Sequence, residues 1–232
     1  MIDLLNTFDI SLSEHQLSQF NQYFDFLVSE NEKYNLTAIT EKKDVYVKHF
    51  LDSMLISKLD IELKGAKIMD IGTGAGFPSV PISILEPSVK ITGLDSLNKR
   101  IHFLNQLAAL IGIQNYEFVH GRAEDFGQDK KYRETYNIAV SRAVAELRLL
   151  LEYVMPFVKP GGYFIAYKSV NNEVELESAK NALKCLKTSL VDVVKFDLPL
   201  EAGERNLMIF KKEAKLEKKY PRKAGTPKKN PL

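Results

Sequence analysis

The first 64 residues carry apolar positions at helical spacing. Leu17, Phe20, Phe24, Leu27 and Val28 fall on one face of a predicted helix. Ser13, with Gln16 three residues later, has the signature of a capping box at its start. A second helix is expected from about Lys43 to Leu59, with Val47, Phe50, Leu51, Met54 and Leu55 on one face. Both stripes predict packing against the rest of the chain. After Gly65 the period shortens. Strands are expected at Lys67 to Ile71, Val89 to Leu94, Tyr116 to His120, Asn137 to Ser141 and Tyr163 to Lys168, with helices between them. The clearest helix follows Asp95 and turns Leu97, Ile101, Leu104, Ala108 and Ile111 to one side. Such alternation predicts a parallel sheet covered on both faces. Near the end the order breaks: 191–197 and 206–211 read as two strands with no helix between them, an antiparallel hairpin at the sheet edge. The expected division is a helical extension (1–64), an α/β body (65–211) and a tail (212–232).

Composition narrows the class. The 232 residues are 45% hydrophobic and 27% charged, the balance of a globular chain rather than a disordered or fibrous one. No uncharged apolar stretch approaches the ~20 residues that cross a bilayer. The beginning carries Asp3 and Asp9 and no basic leader. The single cysteine, Cys185, excludes an internal disulfide, so a cytoplasmic address is expected. Cys185 itself falls in an amphipathic helix and reads as a small buried apolar residue. The net charge of +2 is unevenly spread. From Lys211 onward there are nine Lys/Arg against two Glu, a net of +7; the first 64 residues have a net of −5, and the middle cancels. A basic tail on a neutral body points to a polyanionic partner, RNA or DNA, against a solvated tail that only aids solubility; charged and holding three prolines, it is expected to fray or to order only on its partner. Within it Lys219, Arg222 and Lys223 are candidate phosphate contacts.

The sharpest motif is Asp70-Ile71-Gly72-Thr73-Gly74-Ala75-Gly76-Phe77-Pro78, set between a strand and a helix, with Pro78 suited to the first helical turn. The end of such a strand is where ligands bind in open parallel sheets. Its G-x-G-x-G spacing is not the G-x-G-x-x-G of dinucleotide binders, and no Gly-Lys-Ser/Thr follows. A second acid, Asp95, ends the next strand, where a carboxylate accepts hydrogen bonds from ribose hydroxyls. Asp70, Gly72, Thr73, Gly74 and Asp95 together suit a nucleoside bearing an amino-acid arm, S-adenosylmethionine. Two further strand ends, at His120-Gly121-Arg122-Ala123-Glu124 and at Ser141-Arg142, complete the expected pocket. Arg122, Arg142, Lys168 and Arg205 are candidates to meet a substrate there. His15, His49, His102 and His120 lack metal-ligand spacing, and no metal is expected. His49 and His102 read as packing residues.

Further segments carry a resemblance. Asn35-Leu36-Thr37, His49-Phe50-Leu51-Asp52-Ser53, the glycine loop, Asp95-Ser96 with Lys99-Arg100, Arg122-Ala123-Glu124, Ser141-Arg142-Ala143, Pro160-Gly161-Gly162 with Lys168, Glu204-Arg205-Asn206 and the ending from Tyr220 resemble the bacterial 16S ribosomal RNA guanine-N7 methyltransferases. The resemblance spans nearly the whole chain. It implies a class I S-adenosylmethionine-dependent methyltransferase fold: Rossmann-like, with a mostly parallel seven-stranded sheet, an antiparallel edge hairpin and an N-terminal helical extension. It implies a guanine in the 530 loop of 16S rRNA as substrate. The expected partner is 16S rRNA or the small ribosomal subunit, and the expected form a monomer. It implies that Gly72, Phe77, Ala123, Glu124 and Arg142 line the cofactor site, with Asp95 on the ribose. Ser79, where some relatives have Gly, is expected on a helix surface. Guanine N7 has a lone pair and no proton, so its methylation needs positioning rather than a general base; Arg142 and Lys168 are the catalytic candidates. A methyltransferase of small molecules or of another RNA, an RNA-binding module with a vestigial pocket, and a nicotinamide oxidoreductase are the alternatives.

Overall fold

The computed structural model describes residues 5–142, 145–169 and 172–232. Ala143 and Val144, part of one resemblance motif, and Asp3 lie outside them. The first long helix, α1, spans Glu14–Tyr34. Its capping box forms as the sequence expects: the Ser13 hydroxyl accepts from the Gln16 N–H at 3.2 Å, and Gln16 Oε1 accepts from the Ser13 N–H at 2.9 Å. The Gln16 amide also donates to the carbonyls of Ile84 and Leu85 at 2.7 and 3.0 Å, satisfying groups at the end of another helix.

The second expected helix is not uniform. It is built from α2 (Lys42–Val45), a π-helical stretch (Tyr46–Leu51), α3 (Asp52–Met54) and a 3₁₀ turn (Leu55–Lys58). Apolar spacing alone does not distinguish these windings. The wider π turn is a feature common at functional sites, and here it carries His49.

Seven strands follow: β1 (Lys67–Ile71), β2 (Lys90–Asp95), β3 (Tyr116–His120), β4 (Tyr136–Arg142), β5 (Val158–Lys168), β6 (Thr188–Leu198) and β7 (Gly203–Lys212). They form one sheet in the order β3-β2-β1-β4-β5-β7-β6, parallel except for β7, which runs against both β5 and β6. The intervening helices are α4 (Ser79–Leu85), α5 (Asn98–Ile111), α6 (Ala123–Phe126), α7 (Leu147–Val154), α8 (Asn172–Ser178) and α9 (Lys180–Cys185); α10 (Thr226–Lys229) comes last. Leu97, expected on the inner face of α5, instead caps its start and is largely exposed. Cys185 is half-buried rather than buried.

Period-2 alternation divides the core. Leu207 and Ile209 of β7 face one hydrophobic cluster, Met208 and Phe210 the other. The first cluster also takes Phe20, Tyr23 and Leu27 from α1, Phe50 from the π turn and Phe103 from α5. The N-terminal helices are therefore one covering layer of the sheet. Each of these fully buried side chains contributes roughly 1.5–3 kcal/mol. The second cluster takes Leu150 and Leu151 of α7 with Leu216 and Tyr220 from the C-terminal segment.

That segment corrects an expectation. The tail does not fray; it folds back as a strap over α6 and α7. Lys212, set at the tail's start, is the fully buried end of β7, ion-paired with Glu134 at 2.8 Å. Burial pulls its pKa down to about 8. Arg222 grips Glu152, a fully buried carboxylate, through Nε at 2.9 Å and Nη2 at 2.6 Å. A buried carboxylate requires such a partner, and no nearby sequence position announces it.

Candidate active site

The glycine loop leaves β1 and is tied to the end of β2. Gly72 and Thr73 N–H groups donate to Leu94 O at 2.8 and 3.2 Å, and Gly74 N–H donates to Asp95 Oδ2 at 3.0 Å. Gly76 has φ +98°, and a Cβ there would meet Val80, Leu104 and the Tyr23 hydroxyl within 2.9 Å. Only glycine lets the loop pass so near the helical layer. At Gly74 (φ +60°) a Cβ would meet only Gly72 O at 3.8 Å, so this stretch of backbone presents an open cradle. Pro78 caps α4 rather than entering its first turn. Ser79, expected on a helix surface, is fully buried, and its hydroxyl lies 3.1 Å from that of Thr73.

Two cavities meet at the loop. The smaller, about 470 Å³, is lined by Gly72, Asp95, Arg122, Ala123, Glu124 and Lys228 among others. Asp95 ends β2; its Oδ1 accepts from Leu97 N–H at 2.9 Å, and its Oδ2 also pairs with Arg100 at 3.2 Å. Arg100 borders both cavities, and its Nε is buried without a partner among the described residues. The larger cavity, about 620 Å³, gathers Thr73, Gly74, Phe77, Arg142, Lys168 and Arg205. His49 and Thr37 also line it.

The larger cavity is organised by Asp52. This fully buried carboxylate accepts from Arg142 Nη1 at 2.7 Å through Oδ2 and from Arg205 Nε at 2.5 Å through Oδ1. The Arg142 guanidinium lies over the Phe77 ring at 4.9 Å, and His49 stacks on the same ring at 4.5 Å. Burial, with Arg142's charge next, pushes the His49 pKa down to about 4, so its ring is neutral at pH 7. Its Nδ1 lies 3.1 Å from Lys48 O and 3.3 Å from Arg142 Nη2, and its Nε2 lies 2.8 Å from Thr37 Oγ1. His49 is thus part of the cavity wall rather than packing beneath it. Lys168 Nζ is held by Glu175 at 2.7 Å and by Ala145 O at 3.0 Å.

The residues read from the sequence fall into three groups. Gly72, Thr73, Gly74, Phe77, Arg142, Lys168 and Arg205 meet in the larger cavity. Gly72, Asp95, Ala123, Glu124 and also Arg122 meet in the smaller. Asp70, Lys219, Arg222 and Lys223 line neither. Asp70 is fully buried under the loop, with no well-formed hydrogen bond to either carboxylate oxygen. Burial raises its pKa to about 7, while the nearby Ser79 and Thr73 hydroxyls pull it partly back. Lys219 pairs with Glu217, and Arg222 is committed to Glu152. Sequence reading gave no role to Asp52 or Arg100, and took Lys228 only as part of a basic tail expected to meet RNA phosphates. For Arg100 the signal was an arginine little more than one helical turn past Asp95. Asp52 lay inside a motif quoted for its resemblance.

An S-adenosylmethionine cofactor fits this arrangement. The cradle at Gly74 is open, the Asp95 carboxylate stands at a strand end, and the unpartnered Asp70 carboxylate favours a cation nearby. No described helix is long and apolar enough to cross a membrane. No cluster of metal-ligating side chains occurs among the described residues.

Comparison with known proteins agrees with this geometry. The family described as rRNA small subunit methyltransferase G matches residues 16–208. Ribosomal RNA small subunit methyltransferase G of Staphylococcus saprophyticus is 50% identical over 228 residues, covering 98% of this chain and 95% of that protein. The protein of the same name from Lactococcus lactis subsp. lactis is 48% identical, covering 100% of this chain and 97% of its own. Among solved structures, a SAM dependent methyltransferase from Aquifex aeolicus superposes with TM-score 0.56 at 16% identity, over 79% of this chain and 97% of that one. M. jannaschii TYW2 in complex with AdoMet gives TM-score 0.56 at 12% identity, over 75% and 79%. At these identities the likeness is one of fold, the class I methyltransferase fold.

Proposed function

The chain belongs to the rRNA small subunit methyltransferase G family, and from that premise we propose that it methylates N7 of a guanine in the 530 loop of 16S rRNA with S-adenosylmethionine as donor. The observation that carries the reading is the junction of two unlike cavities at Gly72. The smaller offers carboxylates and backbone, suited to an adenosine; the larger offers two arginines, Arg142 over the Phe77 ring and Arg205 beside it on Asp52, suited to a nucleotide. Asp95 takes the ribose hydroxyls, Ala123 and Glu124 the adenine edge, and the Gly72–Gly74 backbone the amino-acid arm. When bound, the donor supplies a methyl group on a sulfonium, open to in-line displacement.

The protein's part is positioning. The N7 lone pair needs no base to attack, so proximity and charge placement supply the acceleration. Arg142 and Arg205, held apart on Asp52, present their remaining N–H groups to a phosphate and to guanine O6. The neutral His49, itself stacked on the buried Phe77 ring, offers a flat wall against which a base stacks. Asp52 also offsets one of the two cationic charges beside a guanine that becomes positive on methylation. Lys168, tied to Glu175, fixes the far rim. The remaining exposed lysines carry the RNA backbone, and the enzyme works as a monomer in the cytoplasm, without a metal.

Labelled methyl transfer from S-adenosylmethionine to small-subunit rRNA, both deproteinised and in subunits, tests this. Label at one guanine, mapped by N7-specific chain cleavage, is expected. Label on a free metabolite and none on rRNA would overturn it in favour of a small-molecule enzyme.

A further inference from the structure

We propose that the C-terminal strap is a wall of the donor cavity and sets affinity for the adenosyl end of the donor, an inference that rests on the function proposed above. The strap reaches the cavity at two points. Gly225 N–H donates to Glu124 Oε1 at 3.0 Å, and Lys228, three residues later, lines the same cavity as Asp95 and Ala123. Glu124 is itself buried and begins the short helix α6. A carboxylate can read the adenine amine only from one rotamer, and the Gly225 bond holds that rotamer through Oε1 while leaving Oε2 to accept.

The strap is anchored well enough to serve as a wall. The Arg222 fork on Glu152 fixes its middle. Gln128 Nε2 donates to Pro221 O at 2.7 Å, and Arg133 Nη1 to Tyr220 O at 2.6 Å. A Cβ on Gly127 would meet Pro221 Cγ at 2.9 Å, so the bare backbone just past α6 lets the Pro221 ring of the strap pack closely there. Pro227 is buried between Gly225 and Lys228. Two of the tail's cations, Lys212 and Arg222, are spent on carboxylates of the body. What it offers the cavity is one N–H, one lysine and a surface that excludes water from Glu124.

The experiment uses the full chain with Gly225→Pro, which removes the N–H and also frees the strap from Glu124, because Gly225 holds φ +83° and proline cannot adopt it, and with Lys228→Ala, an exposed site whose loss leaves the fold intact. Calorimetry measures the Kd of S-adenosylhomocysteine, and a filter assay that of a 530-loop RNA hairpin. Gly225→Pro is expected to weaken S-adenosylhomocysteine about tenfold, the value of one charge-assisted hydrogen bond, and Lys228→Ala about threefold, with RNA affinity unchanged. Unchanged S-adenosylhomocysteine affinity in both folded variants would overturn the proposal. So would lost RNA affinity with donor affinity retained, which makes the strap an RNA contact. Wild-type protein that binds no S-adenosylhomocysteine would defeat the function itself rather than this inference alone.

Discussion

The two cavities that meet at Gly72 are assembled by different means. Apart from Lys228, the walls of the smaller one named above come from residues 72–124, where successive strands end side by side. Its key groups are backbone N–H donors and carboxylates, placed by local turns. The larger cavity draws Thr37 and His49 from the helical layer, Arg142 from β4, Lys168 from β5 and Arg205 from β7. Its key groups are cations, held in place by one buried carboxylate contributed by a distant helix. The lesson is that a donor site can be written in one motif, whereas a substrate site needs the whole fold to converge.

The largest expected effect falls on the larger cavity. Arg142→Ala should lower turnover by about a hundredfold or more, the scale of one lost preorganised donor, while the far-UV spectrum stays native. Methyl-transfer rates like those of the wild type would remove Arg142 from the mechanism. Arg142→Lys should rescue little, because an ammonium cannot both grip Asp52 and lie flat over Phe77.

Asp52 sharpens the contrast through stability. Removing one partner of a buried ion pair leaves the other charge uncompensated, and here two arginines depend on the same carboxylate. Asp52→Ala should therefore cost about 3–5 kcal/mol in urea denaturation. Adding Arg205→Met should restore part of that loss, since one orphaned cation is then gone. A loss below about 1 kcal/mol, the scale of an exposed pair, would show that solvent reaches the cluster.

Asp95 is the counterpart on the other side. Asp95→Ala removes an acceptor serving Gly74, Leu97 and Arg100. It should weaken S-adenosylhomocysteine about tenfold to a hundredfold by calorimetry, while leaving RNA hairpin binding near the wild-type value. Equal losses for both ligands would mean the cavities act as one.

The same contrast explains what was legible in advance. β1 and β3 lie within their predicted bounds because each is a short apolar run beside a clear turn signal. β5 starts at Val158 rather than Tyr163, because Pro160-Gly161-Gly162 reads as a turn. Gly162 instead lets the strand pass its neighbour: a Cβ there would meet Asn137 O at 2.6 Å. The glycine loop and Asp95 carried the smaller cavity, since spacing along the chain and spacing in space coincide there. Asp52 was invisible as an organiser because Arg205 lies 153 residues away. The tail's positive charge was visible, but Glu134 and Glu152, which pair with Lys212 and Arg222, belong to other parts of the chain. Net charge alone cannot separate internal ion pairs from a surface awaiting RNA.

The smallest effect comes from two groups flanking Arg142 whose titrations oppose each other. The His49 pKa falls to about 4 from 6.5 on folding. The unfolded chain binds more protons between those values, so this group's stability is present above pH 6.5 and is lost as pH falls toward 4. The Asp70 pKa rises to about 7 from 3.8. There the folded chain binds more protons, so its contribution is greatest below pH 3.8 and declines as pH rises toward 7. Across pH 4 to 6.5 the two slopes have opposite sign, each at most about 1.4 kcal/mol per pH unit, and largely cancel. Urea melts at pH 4.5, 5.5 and 6.5 separate them. Asp70→Asn should expose stability that climbs with pH, and His49→Phe stability that declines with it. Parallel slopes in the two variants would mean that at least one group keeps its ordinary pKa, and that the loop above Asp70 is more open to water than its burial implies.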